Sequence, residues 1–123
     1  MAEVIKIYSN NGHLQEEYFE NGGKREGEYK EYFKNGQLYI ICNYIDNKKE
    51  GECKSYWSNG QLKEICNYVD DKREGEYKSY HDNGQLWVIC NYVNGKEEGE
   101  QKCYSTDGKL FIVRNFVNEY CTK

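Results

Sequence analysis

Gly51-Glu52-Cys53-Lys54-Ser55-Tyr56-Trp57-Ser58-Asn59-Gly60-Gln61-Leu62 decides the fold, because nearly the same line returns 24 residues later as Gly75-Glu76-Tyr77-Lys78-Ser79-Tyr80-His81-Asp82-Asn83-Gly84-Gln85-Leu86. The period holds outward in both directions. Asn-Gly recurs at Asn11-Gly12, Asn35-Gly36, Asn59-Gly60 and Asn83-Gly84, and Asp107-Gly108 stands fifth. A leucine lies two residues after each glycine, at Leu14, Leu38, Leu62, Leu86 and Leu110. A tyrosine lies four before it, at Tyr8, Tyr32, Tyr56, Tyr80 and Tyr104. Lysine ladders at Lys6, Lys30, Lys54, Lys78 and Lys102, and Gly-Glu pairs start at Gly27, Gly51, Gly75 and Gly99. Self-similarity at a fixed step is the mark of a repeat array.

Each unit reads as strand, turn, strand, polar turn. Asn-Gly between alternating segments is the strongest short hairpin signal, and a two-residue type I′ turn is the default for it. That turn sets a register: Trp57 opposite Leu62, Cys53 opposite Cys66 and Gly51 opposite Tyr68. By the same arithmetic Phe33 meets Leu38, Tyr29 meets Cys42, Gly27 meets Tyr44, His81 meets Leu86, Tyr77 meets Cys90, Gly75 meets Tyr92 and Gly99 meets Phe116. Glycine weakens a strand, and a cross-strand aromatic is a known cover for it. The expected fold is all-β: an elongated single-layer antiparallel meander of about five 24-residue hairpin repeats. The whole chain, 1–123, is read as one array with units at roughly 3–26, 27–50, 51–74, 75–98 and 99–123. The first unit and the closing stretch 118–123 depart from the pattern, as terminal repeats do.

Alternation sorts the faces. One carries Gly51, Cys53, Trp57, Leu62, Cys66 and Tyr68 with their equivalents, and is the better core candidate. The other carries Glu52, Lys54, Tyr56, Lys63, Ile65 and Asn67. The candidate interaction surface is the aromatic and aliphatic strip of that second face: Tyr32, Tyr56, Tyr80, Tyr104, Ile41, Ile65 and Ile89, with Trp87 placed across from Tyr80. A single-layer sheet has nothing of its own to cover such a strip, and domains are normally built of two layers.

These lines resemble the MORN repeat, and more closely its variant form, Gly-Glu-x-Lys-x-Tyr-x-x-Asn-Gly-x-Leu followed by x-Tyr-x-x-Gly-Lys-x-x-Gly-Glu. Asn91-Tyr92-Val93-Asn94-Gly95-Lys96-Glu97-Glu98-Gly99-Glu100 matches the second half. Asp46-Asn47 and Asp70-Asp71 depart from it, where the variant prefers glycine before lysine. The resemblance implies a twisted single-layer sheet and a role in protein association, often by self-dimerisation. It also implies a lipid-binding alternative, since some members are linked to membranes and phosphoinositides. A third is an antitoxin-like neutralising partner, the label of one bacterial branch, and large DNA viruses carry such proteins as well.

The remaining chemistry is sparse. Net charge is −4, which disfavours nucleic acid and anionic membranes. Glutamates at Glu28, Glu52, Glu76 and Glu100 share the lysine ladder's face and offset it. Cys42, Cys66 and Cys90 sit in equivalent places. Two strand spacings, roughly 9.5 Å, exceed disulfide reach. The close cysteine pairs of a zinc site are absent from the sequence. Cys53 and Cys66 face one another and are expected to stay reduced in a reducing compartment. His13 and His81 hold non-equivalent places without a repeated nucleophile. The expectation is a non-enzymatic interaction or scaffold protein, without cofactor or metal. A protein partner is expected, most simply a second copy. The opening residues lack a long apolar run, so the expected place is the cytoplasm, that of a host cell if the chain is viral.

Overall fold

The computed structural model describes residues 2–117 and 120–122. Among them there is no helix, and fourteen strands form one antiparallel sheet. The strands are β1 (Ala2–Tyr8), β2 (Leu14–Asn21), β3 (Lys24–Tyr32), β4 (Leu38–Ile45), β5 (Lys48–Lys49), β6 (Gly51–Tyr56) and β7 (Leu62–Val69). They continue as β8 (Lys72–Arg73), β9 (Gly75–Tyr80), β10 (Leu86–Val93), β11 (Lys96–Glu97), β12 (Gly99–Tyr104), β13 (Leu110–Val117) and β14 (Tyr120–Thr122). Eleven follow one another across the sheet, and β5, β8 and β11 are two-residue returns beside β4, β7 and β10. The single-layer meander is as expected. Of the closing stretch 118–123, residues 118, 119 and 123 lie outside the described residues.

The turns exchange the roles that the sequence assigns them. At Asn59-Gly60 the Gly60 amide donates to the Trp57 carbonyl at 2.9 Å and the Trp57 amide donates to the Gln61 carbonyl at 2.8 Å. The loop therefore holds three residues, and only Gly60 is left-handed, at φ +91°. The same bonds recur in the other four hairpins. The type I′ turns are the polar ones: Asp46-Asn47 at φ +52° and +70°, Asp70-Asp71 at +52° and +71°, Asn94-Gly95 at +53° and +85°. Asp and Asn tolerate that region better than other residues with a side chain.

The longer loop moves the register by one at the hairpin tip, and a bulge restores it. Tyr56, not Trp57, pairs with Leu62; beyond the bulge Ser55 pairs with Glu64, Cys53 with Cys66 and Gly51 with Tyr68. Tyr32–Leu38 and Tyr80–Leu86 likewise replace Phe33–Leu38 and His81–Leu86. The expected pairs Gly27–Tyr44, Tyr29–Cys42, Tyr77–Cys90, Gly75–Tyr92 and Gly99–Phe116 stand as read.

Those pairings do not explain the glycines in the expected way. A Cβ on Gly51, Gly75 or Gly99 would meet nothing within 4 Å, so no ring stands where a side chain there would go. Each has a left-handed φ, from +82° to +89°. Three steps along β4, from Tyr44 to Ile41, match five along the facing chain, from Lys49 to Lys54. Glycine supplies the positive φ for that bulge.

The core lies on the cysteine face. Among the described residues the buried ones are Tyr29, Cys42, Tyr44, Cys66, Ser79, Cys90 and Cys103. Long polar side chains fold over them in place of a second layer. The Tyr29 hydroxyl donates to Glu16, and the Tyr77 hydroxyl donates to Glu64. Burial first, and those carboxylates second, push both phenols above their ordinary range.

Candidate interaction surface

Three rows of side chains cross the opposite face, perpendicular to the strands. The pairings Tyr32–Leu38, Tyr56–Leu62, Tyr80–Leu86 and Tyr104–Leu110 make the first an alternation of tyrosine and leucine. The second alternates lysine with Ile41, Ile65, Ile89 and Val113. The third alternates glutamate with asparagine, as in Glu28–Asn43, Glu52–Asn67 and Glu76–Asn91. None of the buried residues named above belongs to these rows. Shallow grooves of 280, 410 and 250 Å³ recur from unit to unit between them, with Lys54 and Tyr56, Lys78 and Tyr80, and Lys102 on their walls.

The structure brings together seven of the eight residues expected here: Tyr32, Tyr56, Tyr80, Tyr104, Ile41, Ile65 and Ile89. It does not bring Trp87 to them. Trp87 stacks on His81 with ring centroids 4.7 Å apart, and borders a groove with Tyr77 and Ser79 on the cysteine face. Tyr39 likewise packs on Phe33 at 4.7 Å, and Lys63 lies over the Trp57 ring at 4.8 Å. The bulge is the cause. It turns the residue after each ladder leucine to the core side and Leu38, Leu62 and Leu86 to the tyrosine side. The structural positions Gly27, Gly51, Gly75, Gly99, Tyr44, Tyr68, Tyr92 and Phe116 keep their expected places in the ladder.

The lysines of the middle row are engaged. Lys30, Lys54, Lys78 and Lys102 reach Glu28, Glu52, Glu76 and Glu100 at 3.2, 3.3, 3.3 and 3.4 Å. Such exposed pairs add little stability. Their effect is on charge: each ammonium bends toward a carboxylate of its own strand, which offsets the lysine row.

A second cation row, not among the ladders described above, joins them in the structure. Arg25, Lys49 and Arg73 each precede a Gly-Glu glycine by two residues, a ladder as regular as the others until Glu97 breaks it. The Arg25 guanidinium lies 4.8, 4.9 and 5.5 Å from the rings of Tyr18, Tyr29 and Tyr44. Lys49 lies 4.9 Å from Tyr68, and Arg73 lies 4.9 and 5.4 Å from Tyr77 and Tyr92. Arg73 also donates to the Tyr68 and Tyr92 hydroxyls at 3.3 and 3.2 Å. Tyr44, Tyr68 and Tyr92, which pair with Gly27, Gly51 and Gly75, lie against these cations. Cys53 beside it holds the Cys42 thiol below its ordinary range, and Cys42 together with burial pushes the Cys53 thiol above its own. Burial chiefly, with Glu97 beside it, pushes the Cys90 thiol up to about 12. Among the described residues the free cysteines are Cys42, Cys53, Cys66, Cys90 and Cys103, and no group of side chains could hold a metal ion.

Successive units are stitched along the Asn-Gly rim. Asn35, Asn59 and Asn83 accept the amide two residues on through Oδ1, at 2.9 Å each. Through Nδ2 they donate to the Ser58, Asp82 and Thr106 carbonyls of the next hairpin, at 3.4, 2.8 and 2.8 Å. Trp57 Nε1 donates to the Tyr80 carbonyl at 3.0 Å, and His81 Nε2 lies 2.8 Å from the Tyr104 carbonyl. Replacing Trp57 with Phe removes one such link while keeping the ring. The expected loss is about 1 kcal/mol, read as a lower denaturant midpoint with an unchanged slope. An unaltered midpoint would mean the link carries no net stability.

A family model described as the MORN repeat variant matches residues 25–46, 49–70, 73–94 and 97–118. The chain belongs to the MORN repeat family. The four matched stretches leave out residues 1–24, the hairpin whose sequence departs most from the others. No curated protein matches the chain. MORN repeats are generally non-catalytic modules associated with protein and membrane binding. No helix among the described residues of this MORN array is long and apolar enough to cross a membrane.

Proposed function

We propose that this MORN array is a scaffold for protein–protein association, and that it associates with a second copy of itself through the tyrosine–leucine row. The observation that carries the reading is the row itself. It is half-buried over most of its length, continuous across eight strands, and covered by no second layer among the described residues. Aromatic anchors in a polar surround are what interface hot spots are made of. The outer edge of β1 adds a place for strand pairing, with Val4 at 52% exposure and Tyr8 at 57%. At the far edge Asn115, Phe116 and Val117 of β13 are paired with β14.

Sedimentation at micromolar concentration tests this. The wild-type chain is expected to run above monomer mass. The Tyr56→Ala, Tyr80→Ala double variant should stay folded and weaken association by about 2 kcal/mol or more, roughly thirtyfold. A wild-type monomer across that range removes self-association. Equal association of the double variant removes the row as its site.

A further inference from the structure

The chain has six Asn-Gly dipeptides, and the hairpin tips use four of them, Asn11-Gly12, Asn35-Gly36, Asn59-Gly60 and Asn83-Gly84. An asparagine followed by glycine can cyclise on its own backbone, because no side chain shields the next nitrogen. We infer that Asn11 is a spontaneous deamidation site of the folded chain, and that Asn35, Asn59 and Asn83 are protected.

The backbone of the four tips is the same. Gly12, Gly36, Gly60 and Gly84 each donate to the carbonyl three residues back at 2.9 Å, and each is left-handed. The attacking nitrogen is thus tied equally in all of them, and the difference lies in the carboxamide. In the three inner tips it is held at both ends: Oδ1 by the amide two residues on, Nδ2 by the carbonyl of the next hairpin. Cyclisation must break both contacts. At the first tip a serine stands where the inner units have Phe33, Trp57 and His81. The Ser9 hydroxyl takes the His13 amide at 3.2 Å. That is the donor Asn11 Oδ1 would otherwise receive, and neither anchor forms at Asn11. Its side chain is exposed and free to turn onto Gly12.

Two further Asn-Gly pairs lie elsewhere. Asn94 sits in a type I′ turn whose Gly95 nitrogen donates to the Arg73 carbonyl of the preceding unit at 2.9 Å. The Asn94 amide itself donates to Glu74 at 2.9 Å. Asn21 is in β2, paired with Lys24.

The chemistry balances without an oxidant or cofactor. The Gly12 nitrogen bonds to Asn11 Cγ as its proton passes to solvent. The Cγ–Nδ2 bond breaks and the amide leaves as ammonia, closing a succinimide. Water opens that ring to aspartate or isoaspartate. Either product adds a negative charge at the β1–β2 tip, and isoaspartate lengthens the main chain there by one carbon. The altered hairpin is the one that carries the open edge strand β1, so ageing is expected to change that edge before any inner unit.

The test is peptide mapping of the full chain held at mildly alkaline pH, in buffer and in concentrated urea. In buffer, Asn11 is expected to convert roughly tenfold faster than Asn35, Asn59 or Asn83, the factor expected when two side-chain hydrogen bonds must first open. In urea the four rates should converge. Equal rates in buffer would overturn the inference. So would a gap that survives in urea, because it would trace to His13 as the following residue and not to the fold.

Discussion

Arg73→Ala is expected to lower stability by about 3 kcal/mol, since one side chain there makes two ring contacts and two hydrogen bonds from a charged group. The residue sits between units: Tyr68 belongs to the hairpin before it, and Tyr77 and Tyr92 to the hairpin after. Burial by itself would lower its pKa. The hydrogen bonds and charges of Tyr68 and Tyr92 outweigh that, so the guanidinium stays charged. Arg73→Lys keeps the charge but lacks the planar fork that serves two hydroxyls and two rings at once, so it should recover only about half of the loss. Glu97→Ala is the comparison. Glu97 holds the equivalent place, where it accepts from Gln101 at 2.7 Å, stands beside the Cys90 thiol and touches no tyrosine cage of the kind that holds Arg73. Its removal is expected to stay within about 0.5 kcal/mol. Guanidinium unfolding of the three variants would show the order. A loss below about 1 kcal/mol for Arg73→Ala would mean that the caged cations are ornaments of the face and not its fastening.

The sequence revealed the architecture because its signal is repeated. An Asn-Gly every 24 residues fixes hairpin units whatever the turn type. The register of Cys53 with Cys66 was legible for a less direct reason. A three-residue loop shifts the pairing by one, and the bulge at Lys63 shifts it back. Two local departures cancel, and everything beyond Ser55–Glu64 falls where a two-residue turn would have put it. Between them lie the residues that decide the surface, and there alternation fails. Leu62 joins the tyrosine row, and Trp87 leaves it. Bulges leave no compositional mark in a strand when the extra residue is a lysine or an aromatic, so this could not be read from pattern. The cation row could have been. Arg25, Lys49 and Arg73 keep the period, but a basic residue beside glutamate and glycine looks like a solvated turn until the tyrosines close around it.

Gly75→Val should cost about 3 kcal/mol, and Gly75→Ala about 1–2 kcal/mol, because a side chain at φ +88° is forced against its own backbone. The experiment separates two accounts of why glycine is there. If an aromatic ring lay over Gly75, the cost would come from collision, and a small side chain in a strand would otherwise help. The space is open, with nothing within 4 Å of a Cβ at that place, so collision contributes nothing and the whole penalty is conformational. Asparagine tolerates the left-handed region better than other side chains. Gly75→Asn is therefore expected to be the mildest of the three although it is larger than alanine. An order set by size, with Ala mildest and Asn close to Val, would return the argument to packing. Because each unit contacts only its neighbours, the damage should centre on the β7–β9 junction. Faster amide exchange at Ile65 and Lys78, which pair across it, with little change at β1–β2, would place the strain at the bulge.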